Sequence, residues 1–185
     1  MKNKIAIIII LLIITISLFL IVQQTENKEK LYTEKVFIMD TVVEIKIISE
    51  NDGNDIISES IKIIKDWNKR LDRYNNNSMI SKINNYGESG VEVSSEMREL
   101  FFRLKEYAKL TEGNFDPTIA PLIDIWGFGE GENKIPDKND IKSALQLINY
   151  NDIKIDKGNN KIYLPKESKI DLGAAAKGFI IDKVY

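Results

Sequence analysis

The stretch Asp171-Leu-Gly-Ala-Ala-Ala-Lys-Gly178 decides how the rest of the chain is read. Lys169-Ile-Asp-Leu172 leads into it as a strand, and a helical pattern follows it toward Tyr185. Small residues at a strand-to-helix turn let another group approach the backbone closely. The first amides of a helix lack internal partners and point at whatever sits there. Lys177 lies about one and a half helical turns on, within reach of a phosphate. Asp171 either caps those amides or accepts a hydrogen bond from a ligand. A capped helix with an Ala-rich packing face fits the same residues, and spacing alone does not separate the two readings. The segment is not a P-loop, since the G-x-x-x-x-G-K-[ST] pattern is absent.

Outward from this segment, Lys161-Ile-Tyr-Leu164 and Ile153-Lys-Ile-Asp156 flank Lys157-Gly-Asn-Asn160 and predict a hairpin. Pro136-Asp137 opens a helix through Ile148, and Asp116-Pro117 reads as an N-cap with proline at the first position of a helix to Trp126. Ser94 and Ser95 cap a helix to about Thr111, with Gly113 at its left-handed C-cap. Ile80 and Ile83 sit on a short turn or helix, and Asn75-Asn-Asn-Ser78 stops a longer one. That longer helix repeats Ile56, Ile57, Ile61, Ile64, Trp67 and Leu71 at helical spacing. Thr41–Ser49 alternates apolar and charged residues as a strand, and Asn51-Asp-Gly-Asn54 is a turn. No internal repeat is present, and the mixed order of strands and helices predicts an α+β fold.

Residues Ile5 to Val22 carry no charge, and 18 helical residues reach about 27 Å, close to the ~30 Å hydrocarbon core. Lys2 and Lys4 precede the run and favour a cytoplasmic N-terminus at residues 1–4. Gln23-Gln24-Thr25-Glu26-Asn27 offers no small-x-small cleavage site. The expectation is an uncleaved transmembrane signal anchor over 5–22, a polar stalk over 23–30, and one domain over 31–185 facing the extracytoplasmic side of the cell membrane. A cleaved secretory peptide is the alternative. The missing polar face argues against a buried core helix.

The 185 residues hold 26 Lys and Arg against 28 Asp and Glu, with no His and no Cys. Beyond residue 30 the balance is 22 basic to 26 acidic, so no nucleic-acid partner is expected. Without Cys there is no disulfide, zinc-thiolate site or thiol nucleophile. Without His there is no Ser-His-Asp triad and no imidazole base. Chemistry must run on carboxylates, Lys, Tyr, hydroxyls, backbone amides, or a metal held by oxygen.

Two further segments carry candidate chemistry. Thr111-Glu-Gly-Asn-Phe-Asp-Pro-Thr118 places Asp116 and turn amides beside an aromatic ring, where a plain helix cap is an equal reading. Trp126-Gly-Phe-Gly129 puts two aromatics in a glycine-rich loop, either to stack on a planar ligand or to plug the core edge. Tyr74, ending Leu71-Asp-Arg-Tyr74, is a third aromatic.

Together with Met39-Asp-Thr41, Ser78-Met-Ile-Ser-Lys-Ile-Asn84 and Pro121-Leu122, these segments resemble in order and spacing the ApbE family, the FAD:protein FMN transferases. The resemblance runs from about Phe37 to the chain end. It implies the T-fold-like ApbE fold, incomplete, and an enzyme that splits FAD and joins FMN to a Thr or Ser hydroxyl of a target flavoprotein, such as a membrane redox-complex subunit. Magnesium assists and AMP is released. By resemblance, Met39, Tyr74, Asn114, Phe115, Asp116, Asp171 and Lys177 hold FAD, and the Ala174 carbonyl is a magnesium ligand. No catalytic residue is assigned. Phosphoryl transfer needs charge neutralisation and positioning more than a special base, which a chain without His or Cys can provide.

Three departures stand out. The family's Met-Gly-Thr is Met39-Asp40-Thr41 here, and its Ser-Glu-Ile-Ser is Ser78-Met79-Ile80-Ser81. Family members also continue past the Asp-Leu-Gly segment, where an Asp and a Thr bind metal and a His-x-x-Asp-Pro segment follows. The chain therefore reads as the N-terminal part of a transferase. Its last helix is expected to lack a packing partner, and these residues alone are expected to show no transfer. The alternative function is a membrane-anchored flavin- or nucleotide-binding module without transfer activity.

Overall fold

A computed structural model of the chain describes residues 2–24, 29–129 and 131–185. The chain divides into two compact units, Met1–Glu59 and Ser60–Tyr185.

In the first unit, α1 covers Lys2–Gln24. The expected span over 5–22 is thus helical, with Ile5 and residues 7–19 exposed, while the surroundings of Ala6 and of 20–22 lie outside the described residues. Among the described residues no helix is long and apolar enough to cross a membrane, so the expected anchor finds no support there. Residues 25–28 of the expected stalk over 23–30 lie outside the described residues.

Strands β1 (Lys30–Ile38) and β2 (Thr41–Ser49) pair antiparallel, in register from Ile38↔Thr41 to Lys30↔Ser49. β2 matches the expected strand. β1 was not expected, because Thr33-Glu-Lys35 and Val36-Phe-Ile38 cluster by type and hide the period of two. Met39 and Asp40 form the two-residue turn, at φ 56° and 54°. Positive φ at both central residues gives a turn whose twist matches paired strands. The family's Gly fits such a position freely, while Asp40 tolerates it at some cost.

Helix α2 (Asn54–Leu71) begins in the first unit and continues into the second. The second unit adds α3 (Met79–Tyr86), α4 (Ser95–Leu110), α5 (Ala120–Trp126), α6 (Lys138–Leu145) and α7 (Ala176–Val184). Short strands β3 (Val91–Glu92), β4 (Lys154–Asp156) and β5 (Lys161–Tyr163) form an antiparallel sheet in the order β3-β5-β4. The core follows helical spacing in part: Ile64, Trp67 and Leu71 of α2, Ile80 and Ile83 of α3, and Leu100, Phe101 and Leu104 of α4 are buried, while Ile56, Tyr107 and Leu110, at apolar positions of the same pattern, are exposed. Ser78 caps α3 by accepting from Ser81 N–H, and Ser94 caps α4 by accepting from Met97 N–H.

Several boundaries move for identifiable reasons. α4 ends in a pair of crossed bonds, Gly113 N–H to the Ala108 carbonyl at 2.8 Å and Glu112 N–H to the Lys109 carbonyl at 3.1 Å. This is a Schellman closure in which Glu112, at φ 53°, takes the left-handed position expected for Gly113. α5 starts at Ala120 rather than Pro117, because Asp116 is committed elsewhere. α6 stops at Leu145, and three tighter turn bonds carry the chain to Ile148. The strand before the Ala-rich turn reduces to one parallel bridge, Lys169 with Ile119. α7 is not left bare: Phe179 and Ile180 are buried, and Phe179 meets Trp67 edge-to-face at 4.9 Å. Its packing surface lies within this chain.

Candidate functional site

The segment entering the Ala-rich turn is held on two sides. Asp171 N–H donates to the Pro117 carbonyl at 2.9 Å, which lays Lys169–Asp171 alongside Pro117–Ile119. On the other side the Asn84 side chain donates to the Ile170 carbonyl at 3.0 Å and accepts from Ile170 N–H at 2.7 Å. Three segments far apart in sequence thus meet at Ile170 and Asp171.

Asp171 does not cap α7, which begins at Ala176 without a side-chain cap. Its Oδ1 instead accepts from Gly173 N–H at 2.8 Å and folds the turn. Its Oδ2 lies 3.2 Å from Arg73 Nε. Arg73 also pairs with Asp124 of α5, and its guanidinium sits over the Tyr74 ring at 4.6 Å. Burial pulls the Arg73 pKa down, but hydrogen bonds to Asp124 and Tyr74 outweigh it and raise the pKa, so the cation is firmly held. Lys169 Nζ approaches the second Asp124 oxygen at 3.6 Å. Tyr74 Oη donates to the Phe128 carbonyl at 3.2 Å. Gly129, at φ 89°, leaves room for this contact, since a Cβ there would lie 2.0 Å from Tyr74 Oη. Trp126 and Phe128 stack on each other at 5.9 Å.

The loop between α4 and α5 is stitched internally. Thr111 Oγ1 accepts from Phe115 N–H at 3.1 Å, and Asn114 Nδ2 donates to the Thr111 carbonyl at 2.8 Å. Asp116 is a hub rather than a helix cap. Its Oδ1 accepts from Thr118 N–H and Oγ1–H at 2.8 and 2.6 Å, and its Oδ2 from Tyr150 N–H at 2.9 Å. Both oxygens are therefore occupied within the protein.

The remaining expected residues divide. Lys177 is exposed in the first turn of α7 and has no ion-pair partner among the described residues. The Leu172 carbonyl accepts from both Ala175 and Ala176 N–H, whereas no backbone N–H among the described residues donates to the Ala174 carbonyl. That carbonyl is thus free to face a cation. Among the described residues, however, no group of three His, Cys, Asp or Glu could hold a metal. The neutral Ala174 oxygen suits magnesium in donor type but brings it no charge. A cleft of about 400 Å³ runs between α4 and α7, lined by Leu104, Tyr107, Phe115, Ala174, Gly178 and Phe179.

Tyr74, Asp116 and Asp171 are thus joined through the Arg73–Asp171 ion pair, the Asp171–Pro117 hydrogen bond and chain adjacency, and Phe115 and Ala174 share the cleft. Met39 lies in the first unit. Arg73 and Asp124 are the residues that sequence reasoning passed over. The signal for Arg73 was present in Leu71-Asp-Arg-Tyr74, where a cation follows a helix end directly before an aromatic ring.

Comparison with known proteins bears on this arrangement. The chain is 32% identical over 184 residues to the FAD:protein FMN transferase of Buchnera aphidicola subsp. Baizongia pistaciae, covering 92% of this chain and 54% of the relative. It is 26% identical over 160 residues to the FAD:protein FMN transferase of Klebsiella pneumoniae, covering 85% and 50%. Among solved structures, the ApbE protein of Thermotoga maritima superposes with a TM-score of 0.80 at 29% identity, covering 84% of this chain and 51% of that one. The flavin transferase ApbE of Vibrio cholerae gives a TM-score of 0.77 at 22% identity, covering 85% and 52%, and speaks to fold alone. The chain spans about half the length of these relatives. The ApbE family model matches residues 39–185, and the chain belongs to the ApbE family.

Proposed function

We propose that this chain works in an FAD:protein FMN transferase, which splits FAD at its pyrophosphate and moves FMN to a Thr or Ser hydroxyl of a target flavoprotein, releasing AMP. One observation carries the reading: the bond from Asp171 N–H to the Pro117 carbonyl joins the Asn114-Phe-Asp116 loop to the turn leading into Lys177. A nucleotide diphosphate needs cationic and amide donors beside an aromatic surface, and these segments carry groups of those kinds. Lys177 would meet phosphate as a point charge, with Tyr74 and Phe115 as aromatic surface. Asn114, Asp116 and Asp171 would shape the backbone that faces the ligand. Magnesium would neutralise phosphate charge, with the Ala174 carbonyl as one of its ligands.

The proposal includes placement. The run over 5–22 would anchor the chain in the cell membrane, with the domain on the extracytoplasmic side near a membrane redox-complex subunit as target. Lys2 and Lys4 ahead of an uncharged run support that orientation.

The test is a mass measurement. Incubation with FAD, magnesium and a Thr-bearing target should add one FMN to the target. A flavin-binding module without transfer is the second reading, favoured by the neutral Ala174 carbonyl, which brings magnesium no charge. That reading predicts yellow colour and bound flavin with no mass gain. A colourless protein that fails to bind FAD would defeat both.

A further inference from the structure

We infer that Arg73 is a positioning residue of the flavin site, acting through Asp171 and Tyr74. The inference rests on the flavin-transferase reading above. Arg73 stands where the end of α2, helix α5 and the Ala-rich turn converge, and its side chain is only 8% exposed. Its amino end pairs with Asp124, its Nε faces Asp171 Oδ2 at 3.2 Å, and its central carbon sits over the Tyr74 ring at 4.6 Å.

Both partners have little freedom left. One Asp171 oxygen already accepts from Gly173 N–H, so the carboxylate cannot swing without breaking either the turn or the ion pair. The turn it folds is the one that presents the Ala174 carbonyl and the first amides of α7. Tyr74 is confined between the guanidinium, the Phe128 carbonyl and the glycine-sized space at Gly129. A single planar cation thereby sets the orientation of two residues on different segments. Nε is buried without an aligned hydrogen-bond acceptor, so its pairing with Asp171 depends on charge and proximity.

A merely structural role would ask only for a buried positive charge between two carboxylates. Lysine could supply that charge. It could not meet two carboxylates from two edges with its centre held over a ring, because its ammonium is a point. Arg73→Lys therefore separates charge from geometry.

The experiment uses the full chain in detergent. FAD affinity is read from flavin fluorescence, and the melting temperature is read in parallel. Arg73→Lys should melt within a few degrees of the parent, while its FAD dissociation constant rises about tenfold or more. Asp171→Asn should weaken FAD in the same direction, and the double variant should be little worse than Arg73→Lys alone, since the two act as a unit. Should Arg73→Lys not fold, Asp124→Asn frees one edge of the guanidinium and should also weaken FAD. Unchanged FAD affinity in Arg73→Lys, or in Asp124→Asn where it serves instead, overturns the positioning role. A parent chain that binds no FAD overturns the flavin reading itself, and the inference with it.

Discussion

The side-chain amide of Asn84 and the main chain of Ile170 exchange two hydrogen bonds across 86 residues of sequence. Ile170 is fully buried, so water cannot replace either bond. The pair fixes the residue just before Asp171 to helix α3, and through it the entry to the Ala-rich turn.

Removing that amide should therefore be costly. Asn84→Ala leaves a buried N–H and a buried carbonyl unpaired, a loss on the order of 2–4 kcal/mol. Asn84→Asp keeps an acceptor for the N–H but faces the Ile170 carbonyl with a second acceptor, and should do no better. Thermal melting measures both. A shift of less than about 2 °C for Asn84→Ala would mean that the clamp contributes little.

Two glycines should respond in opposite directions to Ala. Gly127 closes α5 at φ 72°, and a Cβ there would lie 1.9 Å from the Glu132 carbonyl oxygen. Gly127→Ala must displace backbone as well as adopt left-handed φ, and should cost more than about 2 kcal/mol. Gly178 lies inside α7, and a Cβ there would meet nothing within 4 Å. Gly178→Ala should stabilise by about 0.5–1 kcal/mol through backbone entropy. Equal effects of the same sign would contradict the geometry.

Much of the fold was legible because caps and periodicity act locally. Ser94 and Asp137 each accept an amide near the start of the helix they were read to open, whereas Ser78, read as part of a helix stop, caps the short helix carrying Ile80 and Ile83. β3 was not legible: two residues, Val91 and Glu92, form a strand only because β5 lies beside them. Asp116 shows the same limit at the site. Asp-Pro is a sound local signal for a helix start, yet the Tyr150 amide, 34 residues on, claims the carboxylate. The contact between Arg73 and Asp171 is equally non-local, whereas the family motifs that surround it were readable in order.

The C-terminus of α4 carries a correctable strain. Glu112 holds φ 53° at the position where glycine is favoured. Glu112→Gly should raise stability by roughly 0.5–1 kcal/mol, because the relief of a left-handed side chain exceeds the added chain entropy. A lower melting temperature would show that the Glu112 side chain contributes more than its backbone costs.

The β4–β5 turn supplies a pH-dependent contribution. Hydrogen bonds from the Asn159 side chain and backbone, with one from Gly158 N–H, hold the Asp156 pKa below its ordinary value of 3.8. A depressed carboxylate stabilises the fold above its unfolded pKa, and that stability is lost as pH falls through the folded pKa. Asp156→Asn should flatten the stability profile below about pH 4 while leaving its shape near neutrality unchanged. Parallel acid-unfolding curves for parent and variant would remove the assignment.

The last prediction concerns what Asp116 does. Its two oxygens accept three hydrogen bonds from Thr118 and Tyr150, and Thr118 Oγ1 in turn accepts from Asn149 N–H at 2.9 Å. Thr118 is fully buried. The carboxylate is therefore engaged in joining the Thr111–Thr118 loop to the turn at Asn149–Tyr150. If it serves the flavin by shaping that loop, another break in the same chain of bonds should have the same consequence. Asp116→Asn replaces charge-assisted bonds and turns a donor toward a donor, at a cost of roughly 1.5–3 kcal/mol. Thr118→Val keeps the shape and removes only the hydroxyl relay, at roughly 1–3 kcal/mol. Both should lower the melting temperature, and both should weaken FAD by similar factors, because the loop loosens in each. Affinity and melting are measured on the same samples. A large loss of FAD affinity in Asp116→Asn, with Thr118→Val equally destabilised but binding normally, would show instead that the carboxylate touches the ligand directly.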